Sequence, residues 1–164
     1  MHWTEPVPAP LTLFETRVKP EWIDEFEHMN VAHYITVCDQ ANWGFWNLVN
    51  APDGMEARAG HEYVIVENHV HYLDELPLGA AIRVTTQLLD HDDKRYILFH
   101  RVWRESDGAL SATNEVKCLG FNLRERRIER WAPRVVARLD AAAAAHLPLG
   151  QPDQAGQGIA LKKR

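Results

Sequence analysis

The chain has 164 residues, 46% hydrophobic and 25% charged, the proportions of one globular domain. Six Trp, four Tyr and five Phe supply core material, and nine Gly and nine Pro are too few for a fibrous or disordered class. The net charge of -5, from 18 Lys and Arg against 23 Asp and Glu, excludes a broad nucleic-acid or anionic-membrane surface and leaves an anionic ligand only a local basic cluster.

Leu11–Val18 (LTLFETRV) reads as a first strand, closed by Lys19-Pro20. Glu21–Tyr34 (EWIDEFEHMNVAHY) then packs acids, aromatics, two His and an Asn into a short connection. From Val31, apolar residues recur at steps of three and four through Tyr34, Cys38, Ala41, Phe45 and Leu48, which predicts a helix with Asn30 as its N-cap. Gly44 in its middle costs roughly 1 kcal/mol relative to Ala, so another backbone is expected to pass close by. The opposite face carries Asp39, Trp43 and Trp46, so the helix is expected to be central and nearly surrounded.

After the turn-rich Ala51–Gly60, four further strands are predicted at Tyr63–Leu73, Ala80–Leu89, Lys94–Arg104 and Ala109–Leu123, with a hairpin at Asp107-Gly108. Asp140–His146 predicts a short helix stopped by Pro148, and Leu149–Arg164 a mobile tail. Strand, long helix, four strands is an α+β order in which an antiparallel sheet wraps one helix. Cys38 and Cys118 sit in apolar contexts and read as buried free thiols of a cytoplasmic protein. Met1–Pro10 has no leader pattern and no segment approaches about 18 consecutive apolar residues, so neither export nor membrane insertion is expected.

Val18–Tyr34 (VKPEWIDEFEHMNVAHY) resembles the signature of hot-dog-fold acyl-CoA thioesterases of the 4-hydroxybenzoyl-CoA thioesterase type. Their pattern runs Asp, any, Asp, two residues, Gly, His, any, Asn, Asn, then Tyr at the start of the long helix. Its second Asp falls on Asp24, its His on His28, its first Asn on Asn30 and its Tyr on Tyr34. Trp22, Glu27 and Val31 stand where the pattern has Asp, Gly and Asn. Leu76-Pro77-Leu78-Gly79 also resembles family members, and the likeness covers about residues 11 to 131. Glu21-Trp22-Ile23-Asp24 with His28-Met29-Asn30 is similar to the thioesterases of carnitine catabolism, whose acyl group is the quaternary ammonium betainyl.

The resemblance implies a hot-dog domain over residues 1–140, with about five strands around the helix, then a short helix and tail over 141–164. It implies hydrolysis of an acyl-CoA to a carboxylic acid and free CoA with no cofactor or metal. Asp24 becomes the catalytic carboxylate, and Trp22, His28, Asn30, Val31 and Tyr34 the substrate-binding residues. A single curved sheet leaves open edges, so a homodimer with joined sheets, or a homotetramer built from it, is expected, with sites between subunits.

The chemistry of the residues supports this independently. Thioester hydrolysis needs a base for water or a carboxylate nucleophile, plus donors for the developing oxyanion. Asp24 precedes the helix by a few residues, close to the free N–H groups around Val31 and Ala32. Asp39 is the rival carboxylate, because a second hot-dog lineage carries its acid inside the helix. His69 and His71 have an i, i+2 spacing that suits a metal, although a polar strand face is the commoner meaning. Lys94-Arg95 and Arg124-x-Arg126-Arg127 are the clusters available to CoA phosphates. Trp22, Trp43 and Trp46 either form an aromatic face for a cationic acyl group or pack a core. Serine-hydrolase and zinc-protease motifs are absent. The alternatives are a non-catalytic hot-dog module binding acyl-CoA or acyl carrier protein, and a hot-dog hydratase, whose Asp-to-His segment is not matched.

Overall fold

The computed structural model describes residues 6–50 and 56–159. Their elements run β1 (Leu11–Arg17), a single 3-10 turn (Pro20–Trp22), α1 (Val31–Val49), β2 (His61–Tyr72), β3 (Ala81–His91), β4 (Arg95–Arg104), β5 (Ala109–Asn122), β6 (Arg127–Ile128) and α2 (Pro133–His146). All pairings are antiparallel in the order β1-β3-β4-β5-β2, with the two-residue β6 added on β5. This is the expected hot-dog arrangement, one long helix lying on a curved sheet of five main strands.

The packing follows from strand alternation. Ile82, Val84 and Leu88 of β3, Tyr96, Leu98 and Val102 of β4, and Ala112, Val116 and Cys118 of β5 all turn to α1. There they bury Val37, Cys38, Ala41, Phe45 and Trp46, each 1% exposed or less. A large side chain buried in this way contributes about 1.5–3 kcal/mol. Gly44 has the close neighbour that its position requires: a Cβ there would lie 3.3 Å from both the Leu13 carbonyl oxygen and the Leu13 Cβ, so β1 crosses α1 at this point.

The C-terminal third differs from expectation. The second helix starts at Pro133, seven residues before Asp140, and its Val135, Leu139 and Ala142 join Trp131 and Trp46 in the core. The apolar spacing is that of a helix, but Arg134 and Arg138 between them mask it. Of Leu149–Arg164, expected as a mobile tail, residues 150–156 lie on the convex face of the sheet, with Pro152 and Ala155 buried. Gln87 Nε2 donates to the Gly150 carbonyl at 2.7 Å, and the Gly156 amide donates to Glu115 Oε2 at 2.7 Å. A segment held at such single points needs no apolar periodicity. At the end of α2, His146 Nδ1 accepts the Leu88 amide at 2.8 Å, beside the β3 irregularity between Leu88 and Asp90.

Candidate active site

The chain leaves β1 at Arg17, turns through Pro20–Trp22, and makes an isolated bridge between Ile23 and Met29 that closes residues 24–28 into a tight loop. Within it the Glu27 amide donates to the Asp24 carbonyl at 3.1 Å, and the Asp24 amide to the His28 carbonyl at 3.2 Å. Glu27 has φ 64°, the left-handed conformation that explains why the resembled pattern has Gly there. The floor of the loop is Leu76-Pro77: the Met29 amide donates to the Leu76 carbonyl at 2.8 Å, and His28 bridges Pro77. The Leu-Pro-Leu-Gly segment thus seats the Asp24 loop.

Asp24 is half-buried and both its oxygens are engaged. Oδ1 accepts the Phe26 amide at 2.9 Å, and Oδ2 accepts Asn30 Nδ2 at 3.1 Å. Asn30 also caps α1, since its Oδ1 accepts the Ala32 amide at 3.0 Å and its own amide donates to the Trp22 carbonyl at 2.8 Å. One side chain therefore ties the carboxylate to the helix start. The Ala32 amide is consumed by that cap, a correction to its expected part in an oxyanion site. Among the described residues no acceptor faces the Val31 amide, the first of α1.

Tyr34 is buried, and burial pushes its phenol up to about 12, so it stands protonated near neutral pH and donates to the Asp74 carbonyl at 3.4 Å. Its ring meets Tyr72 edge-on at 5.4 Å, and the Tyr72 hydroxyl donates to the Val31 carbonyl at 3.3 Å. His28 lies 4.0 Å from Glu75 through Nε2. Arg104 braces this side, donating to the Glu75 carbonyl at 2.7 Å and to Asp74 Oδ2 at 2.8 Å. Trp22 stacks on His33 at 5.3 Å and carries Lys19 over its ring at 5.2 Å. Asp24, Trp22, His28, Asn30, Val31 and Tyr34 are thus brought together. His33, Tyr72, Asp74 and Glu75 join them. Sequence reasoning missed these four, and only the nearby Leu-Pro-Leu-Gly likeness pointed to that loop.

The other candidates lie elsewhere. Trp46 is 1% exposed with its indole N–H donated to Glu62, and Trp43 holds the buried Arg58 guanidinium 5.1 Å from its ring, so both aromatics serve an internal ion pair. Trp43 stands 12 residues along α1 from Val31, about 18 Å at helical rise, so the three tryptophans form no common face within one chain. Asp39 is exposed two turns into α1, and desolvation raises its carboxyl above the usual value. Burial pushes the Cys38 and Cys118 thiols up to about 12, which keeps them protonated and inert. The His69 and His71 rings meet at 4.6 Å, and among the described residues no group of three or more His, Cys, Asp or Glu could hold a metal. Lys94 and Arg127 line one recess with Arg130, at the β5–β6 end of the sheet.

The profile of the thioesterase-like superfamily matches residues 18–139, from the end of β1 into α2. The chain belongs to the thioesterase-like superfamily. This membership makes it a thioester hydrolase. As a thioesterase-like chain it is 33% identical to the betainyl-CoA thioesterase of Pseudomonas aeruginosa over 151 residues, 92% of this chain and 95% of that protein. It is 31% identical over 155 residues, 94% of its length, to the L-carnitine dehydrogenase/betainyl-CoA thioesterase of Rhizobium meliloti, of which it spans 31%. Among solved structures, a Staphylococcus aureus protein in complex with CoA superposes with a TM-score of 0.84 at 27% identity, covering 94% of this chain and 98% of that one.

Proposed function

We propose that this thioesterase hydrolyses a short, polar acyl-CoA, with betainyl-CoA as the first substrate to try, and that Asp24 supplies the reacting carboxylate. The observation that carries this reading is the placement of Asp24, fixed through Asn30 to the start of α1, beside the free Val31 amide. The thioester carbonyl seats its oxygen on the Val31 N–H, where the helix dipole adds roughly half a positive charge. Asp24 then takes a proton from water, whose oxygen attacks the carbonyl carbon, or attacks that carbon itself to give an anhydride that water opens. In both routes the C–S bond breaks and CoA leaves as the thiolate. Trp22, His28 and Tyr34 wall the acyl side.

The working unit is proposed to be a homodimer, or a tetramer built from it. Strand β2 is a 12-residue sheet edge, and Ile35, Trp43, Ile65 and Val66 expose between 37% and 47% of their surface beside it. Apolar residues along an unpaired edge fit a second copy of the chain. We place the protein in the cytoplasm, in keeping with two buried free thiols. Among the described residues no helix is long and apolar enough to cross a membrane.

Thiol release from a panel of acyl-CoAs tests the function. Turnover of small polar acyl groups, betainyl among them, is expected. Tight binding of acyl-CoA without turnover for any ester would make the protein a binding module instead.

A further inference from the structure

The acyl group's immediate surroundings follow from the free Val31 amide. A carbonyl held there directs its substituent against whatever ring lies beside the start of α1. Tyr72 is that ring: it is 48% exposed, and its hydroxyl is anchored on the Val31 carbonyl at 3.3 Å. The edge contact with Tyr34 fixes its tilt. The other aromatic candidates are already engaged: Trp46 is buried against Glu62, Trp43 holds Arg58, Trp22 carries Lys19 and His33, and Phe26 stacks on His28.

Carboxylates predominate around this ring. Asp74 and Glu75 follow Tyr72 by two and three residues and both act on Tyr34 electrostatically. Glu21 in the Pro20–Trp22 turn and Glu25 and Glu27 in the Asp24 loop are exposed. Arg104 neutralises Asp74, while Glu75 is 71% exposed with His28 at 4.0 Å. A ring face with uncompensated carboxylates around it attracts a cation and disfavours an anion.

We propose that Tyr72 is a specificity-determining residue, its ring forming the platform on which a quaternary or other alkylammonium acyl group rests. This deepens the thioesterase reading above and rests on it. In such an ester the ammonium nitrogen is two bonds from the carbonyl carbon. A carbonyl on Val31 therefore brings it within the roughly 6 Å over which a cation and a ring attract.

The test compares betainyl-CoA with its neutral isostere, in which a tert-butyl group replaces the trimethylammonium, using the wild type, Tyr72→Phe and Tyr72→Leu. Both variants lose the hydroxyl, and only Tyr72→Leu loses the ring. The wild type is expected to prefer the cationic ester, and Tyr72→Phe to keep that kcat/KM ratio within about twofold. Tyr72→Leu is expected to lower the ratio about tenfold while the neutral ester is still turned over, which reports an intact fold. A wild type with no preference, or a Leu variant that slows both esters equally or neither, overturns the proposal and leaves the thioesterase reading standing. Failure of the wild type on every acyl-CoA removes the reading beneath it.

Discussion

Asn30 holds Asp24 and caps α1 with opposite ends of one amide, Nδ2 on the Asp24 carboxylate at 3.1 Å and Oδ1 on the Ala32 N–H at 3.0 Å. The two tasks separate by substitution. Asn30→Ser keeps a capping oxygen but offers no N–H to Asp24, so stability is expected within about 0.5 kcal/mol of wild type. Turnover is expected to fall at least tenfold as the carboxylate loses its orientation. Asn30→Ala should lose about 1 kcal/mol besides. Urea unfolding and steady-state kinetics on the three proteins decide it, and full turnover by the Ser variant would show that the contact does not position the carboxylate.

Glu27 occupies a left-handed position at φ 64°, two residues before Met29 of the isolated Ile23–Met29 bridge, and its amide donates to the Asp24 carbonyl at 3.1 Å. Glu27→Gly relieves that conformation and is expected to leave stability unchanged or raised by up to about 1 kcal/mol. Glu27→Val is expected to lower it by about 1–2 kcal/mol, because a β-branched residue tolerates positive φ least. Equal melting temperatures for the two variants would contradict this.

Gly120 is a matter of contact and not of conformation. A Cβ there would stand 2.3 Å from the Glu129 carbonyl oxygen and 3.0 Å from the Trp131 ring. Gly120→Ala is expected to push β6 and Trp131 away from β5 and to cost about 1–3 kcal/mol in chemical denaturation. A wild-type midpoint would mean that this backbone yields freely.

His100 is fully buried beneath α1, with Nδ1 2.9 Å from the Thr86 hydroxyl, and burial lowers its pKa to about 3. His146 is lowered in the same direction, by burial and against its bond to the Pro8 carbonyl. The unfolded chain takes up these protons near pH 6.5 and the folded one does not, so stability is full above about 6.5 and falls as pH drops toward 3. From pH 7 to pH 5 the loss from His100 alone is about 2 kcal/mol. His100→Asn should flatten that slope, measured by urea unfolding at each pH, and an unchanged slope would remove His100 from the account.

The local part of this molecule was legible in the residues. Asn30 announces the start of α1 because capping is a chemistry of neighbours, and Gly44 announces a close backbone, which proves to be β1, because a missing side chain has few other uses in a helix. What register brings together was not legible. Tyr72 meets Val31 because β2, paired with β5, ends beside the start of α1, and Arg58 meets Trp43 from the turn that leads into β2. Trp46 looked like a site residue because the helix showed two apolar faces. The second face is filled by Trp131, delivered from beyond β6.

Within the candidate site, Asp24 and its partners came from one contiguous segment, so a linear pattern sufficed for them. The loop at residues 74–77 lies some fifty residues away in the chain and reaches the site through backbone bonds such as Met29 to Leu76, which no side-chain pattern records. The packed segment after α2 escaped notice for the same reason.

The assignment of the carboxylate is tested most directly by kcat/KM of Asp24→Asn and Asp39→Asn on the best ester of the panel, with unfolding curves to confirm that both variants fold. Asp24→Asn is expected to lose about 10²–10⁴-fold, the usual contribution of a positioned base, while Asp39→Asn stays within about threefold. A fully active Asp24→Asn beside an inactive Asp39→Asn would place the chemistry on α1 and contradict the account.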